Sequence, residues 1–179
     1  MNLKCVPALL LIVLSPLIHA QPLLDHHNPK GQNVRLAWSL DADGGVDGDE
    51  WKGFEAAYAS EIYPLDQLIV SFAHHNYDDN TSNSLLFSIE EFYPLSETLV
   101  PYGVAGIGYM WTDFAAGSAG QDDGMLLKLG TGLLVKLCEA FHLYGEISFN
   151  VSDRDIWLDG DNGAAAQNWQ GLLGFRFNY

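Results

Sequence analysis

Eleven residues, WQGLLGFRFNY (Trp169 to Tyr179), constrain this chain more than any other stretch. Alternate positions are Trp169, Gly171, Leu173, Phe175, Phe177 and Tyr179, and between them fall Gln170, Leu172, Gly174, Arg176 and Asn178. A period of two held over this length is a β-strand. One face is almost wholly apolar and aromatic, while the other carries an arginine. The length suits a strand that crosses a bilayer at a tilt, about 9–11 residues. The expectation is an apolar face toward lipid and a polar face toward a barrel interior.

The opposite end reads as an export signal. Lys4 gives a positive start, Val6 to Ile18 is apolar but broken by Pro7, Ser15 and Pro16, and Ile18-His19-Ala20 resembles a cleavage site. Residues 1–20 are therefore set apart from the fold, with cleavage expected near Ala20. The apolar run is too short and too broken for a comfortable membrane helix. Cys5 lies too far from the cleavage site to accept lipid. The mature chain then keeps only Cys138, so no internal disulfide can form. Removing Lys4 leaves 7 of the 8 Lys and Arg against 23 Asp and Glu, a formal −16. That balance excludes nucleic acid as a partner. No later segment holds 18 consecutive apolar residues. An exported, alternating chain without a helical span suits a closed barrel, one of two ways to satisfy a backbone in lipid.

Residues 21–32 contain two prolines and no periodicity and read as a short leader. Eight strands then follow. The first, Asn33 to Leu40, sets Val34, Leu36, Trp38 and Leu40 against Arg35, Ala37 and Ser39. The second, Trp51 to Ser60, sets Phe54, Ala56 and Tyr58 against Gly53, Glu55, Ala57 and Ala59, although EAAYASE would also suit a helix. The third, Gln67 to Asn76, and the fourth, Ser84 to Phe92, flank a loop expected over Tyr77 to Asn83. The fifth, Leu99 to Asp113, is so rich in glycine that its faces are ambiguous. The sixth, Met125 to Lys136, points Lys128 inward. The seventh, Phe141 to Val151, points His142, Tyr144, Glu146, Ser148 and Asn150 inward, and the terminal strand is the eighth. Long loops are expected over Asp41 to Glu50, Tyr77 to Asn83, Phe114 to Gly124 and Ser152 to Asn168. Short turns alternate with them, and EIYPLD (61–66) returns thirty residues later as EFYPLS (91–96). The fold expected is all-β, an eight-stranded antiparallel up-and-down transmembrane barrel over residues 33–179.

With the signal, the eight strands, PYGVAGIGYMW and the terminal GFRFNY in view, the chain resembles the small outer-membrane barrels of the OmpA and OmpX type. The resemblance implies a bacterial outer-membrane location and partners among outer-membrane lipid and lipopolysaccharide. It also implies recognition of a C-terminal aromatic pattern by the barrel-assembly machinery, matched here by Phe175, Phe177 and Tyr179. The soluble domain that some relatives carry after the barrel is not expected.

Three groups of residues could carry function. The inward faces hold Arg35, Glu55, Glu90, Lys128, Glu146 and Arg176. An eight-stranded barrel is just wide enough to be filled by side chains, and buried charges must pair. The expectation is a structural ion-pair network, with Arg35 and Arg176 facing Glu55 and Glu146. The sharper reading of the same residues is an ion path. The second group is acidic: Asp41, Asp43, Asp47, Asp49 and Glu50; Asp78 and Asp79; Asp113, Asp122 and Asp123; Asp153, Asp155, Asp159 and Asp161. All fall at one predicted end. No cofactor is expected, but such carboxylates could hold Ca²⁺ or Mg²⁺ loosely, with Asp41, Asp43, Asp47 and Asp49 as the first candidates. The run lacks the spacing of an EF-hand. Solvated turn chemistry explains these residues equally.

The third group is His74-His75. Lipid A deacylases are barrels that use a surface-facing His, a Ser and an acid. Ser82 or Ser84 with Asp78, Asp79 or Glu90 could be imagined in those roles. The H-x-S-N order of that family is absent, because Asn76 and Tyr77 follow. The leading expectation is a non-enzymatic barrel acting in envelope integrity or through its acidic loops. The alternatives are a lipid A-modifying enzyme and a soluble periplasmic lipid-binding barrel with its faces inverted. Alternation alone does not separate lipid outside from core inside.

Overall fold

The computed structural model describes residues 31–43, 50–77, 80–113, 121–152 and 167–179. At the strand ends beside the remaining connections only the backbone is described. The signal, the leader up to residue 30 and the connections 44–49, 78–79, 114–120 and 153–166 lie outside these residues.

The described chain is a closed barrel of eight antiparallel strands in sequence order. They are β1 (Gln32–Asp43), β2 (Glu50–Tyr63), β3 (Asp66–Tyr77), β4 (Asn80–Phe92), β5 (Leu99–Asp113), β6 (Gln121–Lys136), β7 (Phe141–Ser152) and β8 (Gln167–Asn178). An even count lets β8 run antiparallel to β1, and the two pair from Asn33↔Asn178 to Asp43↔Asn168. Closure leaves no open sheet edge. The EAAYASE segment, which would also suit a helix, is strand, because Ala57 and Ala59 are buried while Tyr58 faces out between them.

The faces fall as the alternation predicts. Trp38 is 66% exposed and Leu129 58%, whereas Arg35, Lys128 and Glu146, on the same strands or their neighbours, are buried. The exterior is apolar around the circumference: Leu36 on β1, Phe54 on β2, Leu68 on β3, Phe87 on β4, Ile107 on β5, Leu127 on β6, Ile147 on β7 and Leu173 on β8. The arrangement with aromatics inside and charges in solvent is ruled out by this orientation. On β5, Tyr102 and Val104 face in, and Ile107 and Tyr109 face out. The ambiguity there is removed by register rather than by side-chain type.

All four expected long loops are corrected at their bounds: Asp41 to Asp43 and Glu50 are strand, and so are Ser152, Gln167 and Asn168. Thr81, Ser82 and Asn83 are not loop but β4, paired with Asn76, His75 and His74. Gln121 to Gly124 belong to β6, paired across to β5 as far as Asp113. Asp41, Asp43, Glu50, Asp113, Asp122 and Asp123 therefore lie on strand ends. In each case ladder pairing continues past the apolar band, and a polar side chain at the end of a hairpin does not stop it. The repeated EIYPLD and EFYPLS also build different connections. The first holds a two-residue turn at Pro64-Leu65, with a register shift between Glu61 and Tyr63. The second opens into a six-residue connection, 93–98, because the Ser96 hydroxyl accepts the backbone N–H groups of Thr98 and Leu99. The two turns meet where Phe92 N donates to Leu65 O at 2.9 Å.

Chain closure is pinned at Gly31, whose φ of 99° is in the left-handed region that glycine adopts without strain. Its N–H donates to the Glu61 carboxylate at 3.2 Å, and Tyr179 N donates to Gln32 O at 3.2 Å.

Candidate functional site

The inward faces of the strands converge on a lumen filled by side chains. All six charged residues expected there are buried and point inward. They form two separate groups along the axis, followed by a third, uncharged one.

At the turn end, β1 supplies Asn33 and Arg35, β3 Gln67, β4 Glu90 and β8 Arg176. Both guanidinium Nη atoms of Arg35 reach Glu90: Nη1 meets Oε1, and Nη2 donates to Oε2 at 2.8 Å. Arg35 Nη2 also donates to Gln67 Oε1 at 3.0 Å, and its Nε to Asn33 Oδ1 at 2.9 Å. Asn33 in turn donates to Gln67 Oε1 at 3.0 Å. The pair is therefore bidentate and held by two amides, the geometry in which a buried ion pair recovers its desolvation cost. In mid-barrel, Lys128 on β6 sits 2.6 Å from Glu146 Oε1 and 3.7 Å from Glu55 Oε2. Tyr102 donates to Glu146 Oε2 at 3.2 Å.

Two expected pairings are thus corrected. Arg35 does not face Glu55 or Glu146, because Glu90 on β4 reaches it across the lumen. Arg176 does not face Glu146, which Lys128 occupies. Its Nε donates to Asn178 Oδ1 at 2.9 Å and its guanidinium lies 5.4 Å from the Phe92 ring centroid. Among the described residues no carboxylate pairs with it.

Tyr102 explains one glycine. Gly132 faces it across the β5–β6 pair, and a Cβ there would run into the Tyr102 ring and come within 2.6 Å of Gly145 O. Only glycine leaves room for the phenol that caps Glu146.

The third group was missed in the sequence. Ser39 on β1, His75 on β3 and Gln170 on β8 meet inside the opposite end. Ser39 Oγ is 2.6 Å from His75 Nε2 and accepts from Gln170 Nε2 at 2.9 Å. Gln170 Oε1 accepts from Asn150 Nδ2 at 3.3 Å and Ser148 Oγ at 3.4 Å. The only signal was that all five occupy inward positions of their strands. His74 points outward. Its Nδ1 is 2.7 Å from Asn83 Oδ1, and its Nε2 is 3.1 Å from Asn76 Nδ2. Ser82 and Ser84 lie on the other face of β4, Ser84 buried. His74 meets neither serine of the imagined histidine–serine–acid set; His75 is the register partner of Ser82, and Asp78 and Asp79 lie outside the described residues.

No protein-family model matches the sequence, and no curated protein matches it. Solved structures do resemble it. The N-terminal β-barrel domain of Pseudomonas aeruginosa OprF is 16% identical with a TM-score of 0.62, over 86% of this chain and 98% of that one. Neisserial surface protein A is 14% identical with a TM-score of 0.66, over 84% and 98%. The outer membrane protein OprG of Pseudomonas aeruginosa is 13% identical with a TM-score of 0.62, over 86% and 98%.

The chain has the fold of the small eight-stranded outer-membrane barrels.

At such identities the likeness extends to the fold alone, so chemistry has to come from the residues. For an outer-membrane barrel fold the exterior aromatics fall where they would be useful. Tyr58, Tyr63, Phe177 and Tyr179 face out toward the turn end, and Tyr109 and Trp169 toward the other. Phe141 lies between Phe175 and Phe177, with ring centroids 5.3 and 4.9 Å away, so the terminal aromatics are packed on β7. Trp157 lies outside the described residues, as do the side chains of Asp41, Asp43, Asp47 and Asp49. Among the described residues no three metal-type ligands cluster.

Proposed function

We propose that the protein is exported, with its signal cleaved near Ala20, and resides in a bacterial outer membrane as a non-enzymatic barrel. Its role is envelope integrity or surface interaction through the acidic connections. The observation that carries this reading is the pairing of an apolar exterior on all eight strands with a lumen occupied by ion pairs and hydrogen bonds. An exterior of that kind in water would be a large exposed apolar patch, which soluble monomers avoid. In hydrocarbon it is the favourable surface. The filled lumen argues for a structural plug over a pore. Lipid and lipopolysaccharide are the expected surroundings, with Ca²⁺ or Mg²⁺ as bridges between loop carboxylates and lipid phosphates. Phe175, Phe177 and Tyr179 are proposed as the assembly signal, since Phe177 and Tyr179 face outward at the strand end.

The test is membrane fractionation followed by electrophoresis with and without boiling. The protein is expected in the outer-membrane fraction, with a mobility that shifts on heating. Recovery as a soluble periplasmic protein with one mobility would overturn the proposal.

A further inference from the structure

The turn end of the lumen does not balance its own charge. Arg35 and Arg176 are register partners on β1 and β8 and both point inward. Glu90 faces them with a single negative charge, and both its oxygens are taken by Arg35. Arg176 is fully buried, and its Nη1 and Nη2 have no hydrogen-bond partner among the described residues. The lumen as a whole balances, three cations against Glu55, Glu90 and Glu146, but the surplus carboxylate sits with Lys128 in mid-barrel, and the other groups that touch Arg176 carry no negative charge. Asn178 accepts from Arg176 Nε through Oδ1, which turns its Nδ2 toward His142 Nδ1 at 3.2 Å and toward Glu139 O at 3.2 Å. His142 therefore accepts at Nδ1. The guanidinium carbon lies over the Phe92 ring, 5.4 Å from its centroid, and the ring offers no hydrogen-bond acceptor to the Nη atoms. A guanidinium does not lose its proton inside a protein, and an uncompensated buried charge is very costly. What suits the open Nη edge is a compact group that accepts in-plane hydrogen bonds and places negative charge beside the two adjacent guanidinium groups.

We propose that Arg176 holds a small inorganic anion of the halide type inside the turn end of the barrel. The ion would take its hydrogen bonds from Nη1 and Nη2 and neutralise the Arg35–Glu90–Arg176 group. Complete enclosure of the side chain favours a compact monovalent ion over phosphate or a carboxylate-bearing metabolite. Water would satisfy the donors but leave two adjacent guanidinium groups sharing one carboxylate.

The test uses the whole mature barrel in detergent micelles. Crystals soaked in bromide should give an anomalous peak at hydrogen-bonding distance from the Arg176 Nη atoms. In solution, replacing gluconate by chloride at constant ionic strength should raise the midpoint of heat-induced unfolding saturably. The rise should be about 3–6 °C once chloride is roughly tenfold above its dissociation constant. Arg176→Met should abolish that dependence. A bromide map with no peak at Arg176 means the donors hold water only, and overturns the proposal. So does a chloride dependence that Arg176→Met leaves unchanged. Should the variant fail to fold, the map of the unmodified protein decides by itself.

Discussion

The two ends of the lumen are built from different chemistry. The turn end relies on ions: Arg35 clamps Glu90 bidentately, and Asn33 and Gln67 hold the clamp. The other end relies on neutral groups, with Ser39, His75, Gln170, Ser148 and Asn150 in a chain of hydrogen bonds between 2.6 and 3.4 Å. A neutral chain can lose one link and keep the rest, because each net contribution is small. An ion pair removed from water fails as a unit, since losing one partner strands the other. The barrel is accordingly expected to be stiffest against mutation where it is uncharged and most brittle where it is charged.

Glu90→Gln tests the brittle end most severely. It leaves Arg35 and Arg176 buried together without a carboxylate, and a loss of about 3–5 kcal/mol is expected from urea unfolding in micelles. Replacing the pair with Arg35→Met and Glu90→Met together should recover most of that loss. A Glu90→Gln barrel as stable as its parent would erase the contrast between the ends. Gly132→Ala, at mid-barrel, forces a methyl group against the Tyr102 ring and Gly145 O. Overpacking of this kind should cost about 1–3 kcal/mol, with a change in the near-ultraviolet circular dichroism of the displaced phenol. Ser39→Ala at the neutral end should cost the least, about 1 kcal/mol. A Ser39→Ala loss equal to that of Glu90→Gln would show that the hydroxyl does more than fill a hydrogen-bond chain.

The strand faces were legible because a period of two needs no knowledge of neighbours. Val34 to Leu40 and Phe141 to Val151 assign themselves residue by residue. Strand ends were less legible. Thr81 to Asn83 and Gln121 to Gly124 read as loop because polar and glycine residues favour turns, yet their partners on β3 and β5 extend the ladders over them. The ion pairs were legible as a set of six residues but not as pairings. Sequence order suggests partners on adjacent strands, whereas Glu90 on β4 meets Arg35 on β1 from across the lumen. That contact depends on how far each strand is staggered around the cylinder, which no local pattern carries. Arg176 shows the same limit, since its inward position was plain and its lack of a carboxylate was not. The Ser39–His75–Gln170 meeting joins three strands in the same way.

The Arg35–Glu90 clamp also has a place in time. Its partners are 55 residues apart and three strands removed. They come within reach only after the sheet has curled, so the clamp contributes little while hairpins are still pairing. Interactions made after the rate-limiting step leave the folding rate almost unchanged and slow the reverse reaction. The clamp then works as a latch, set once assembly is finished, and its worth to the cell is counted in the lifetime of the closed barrel.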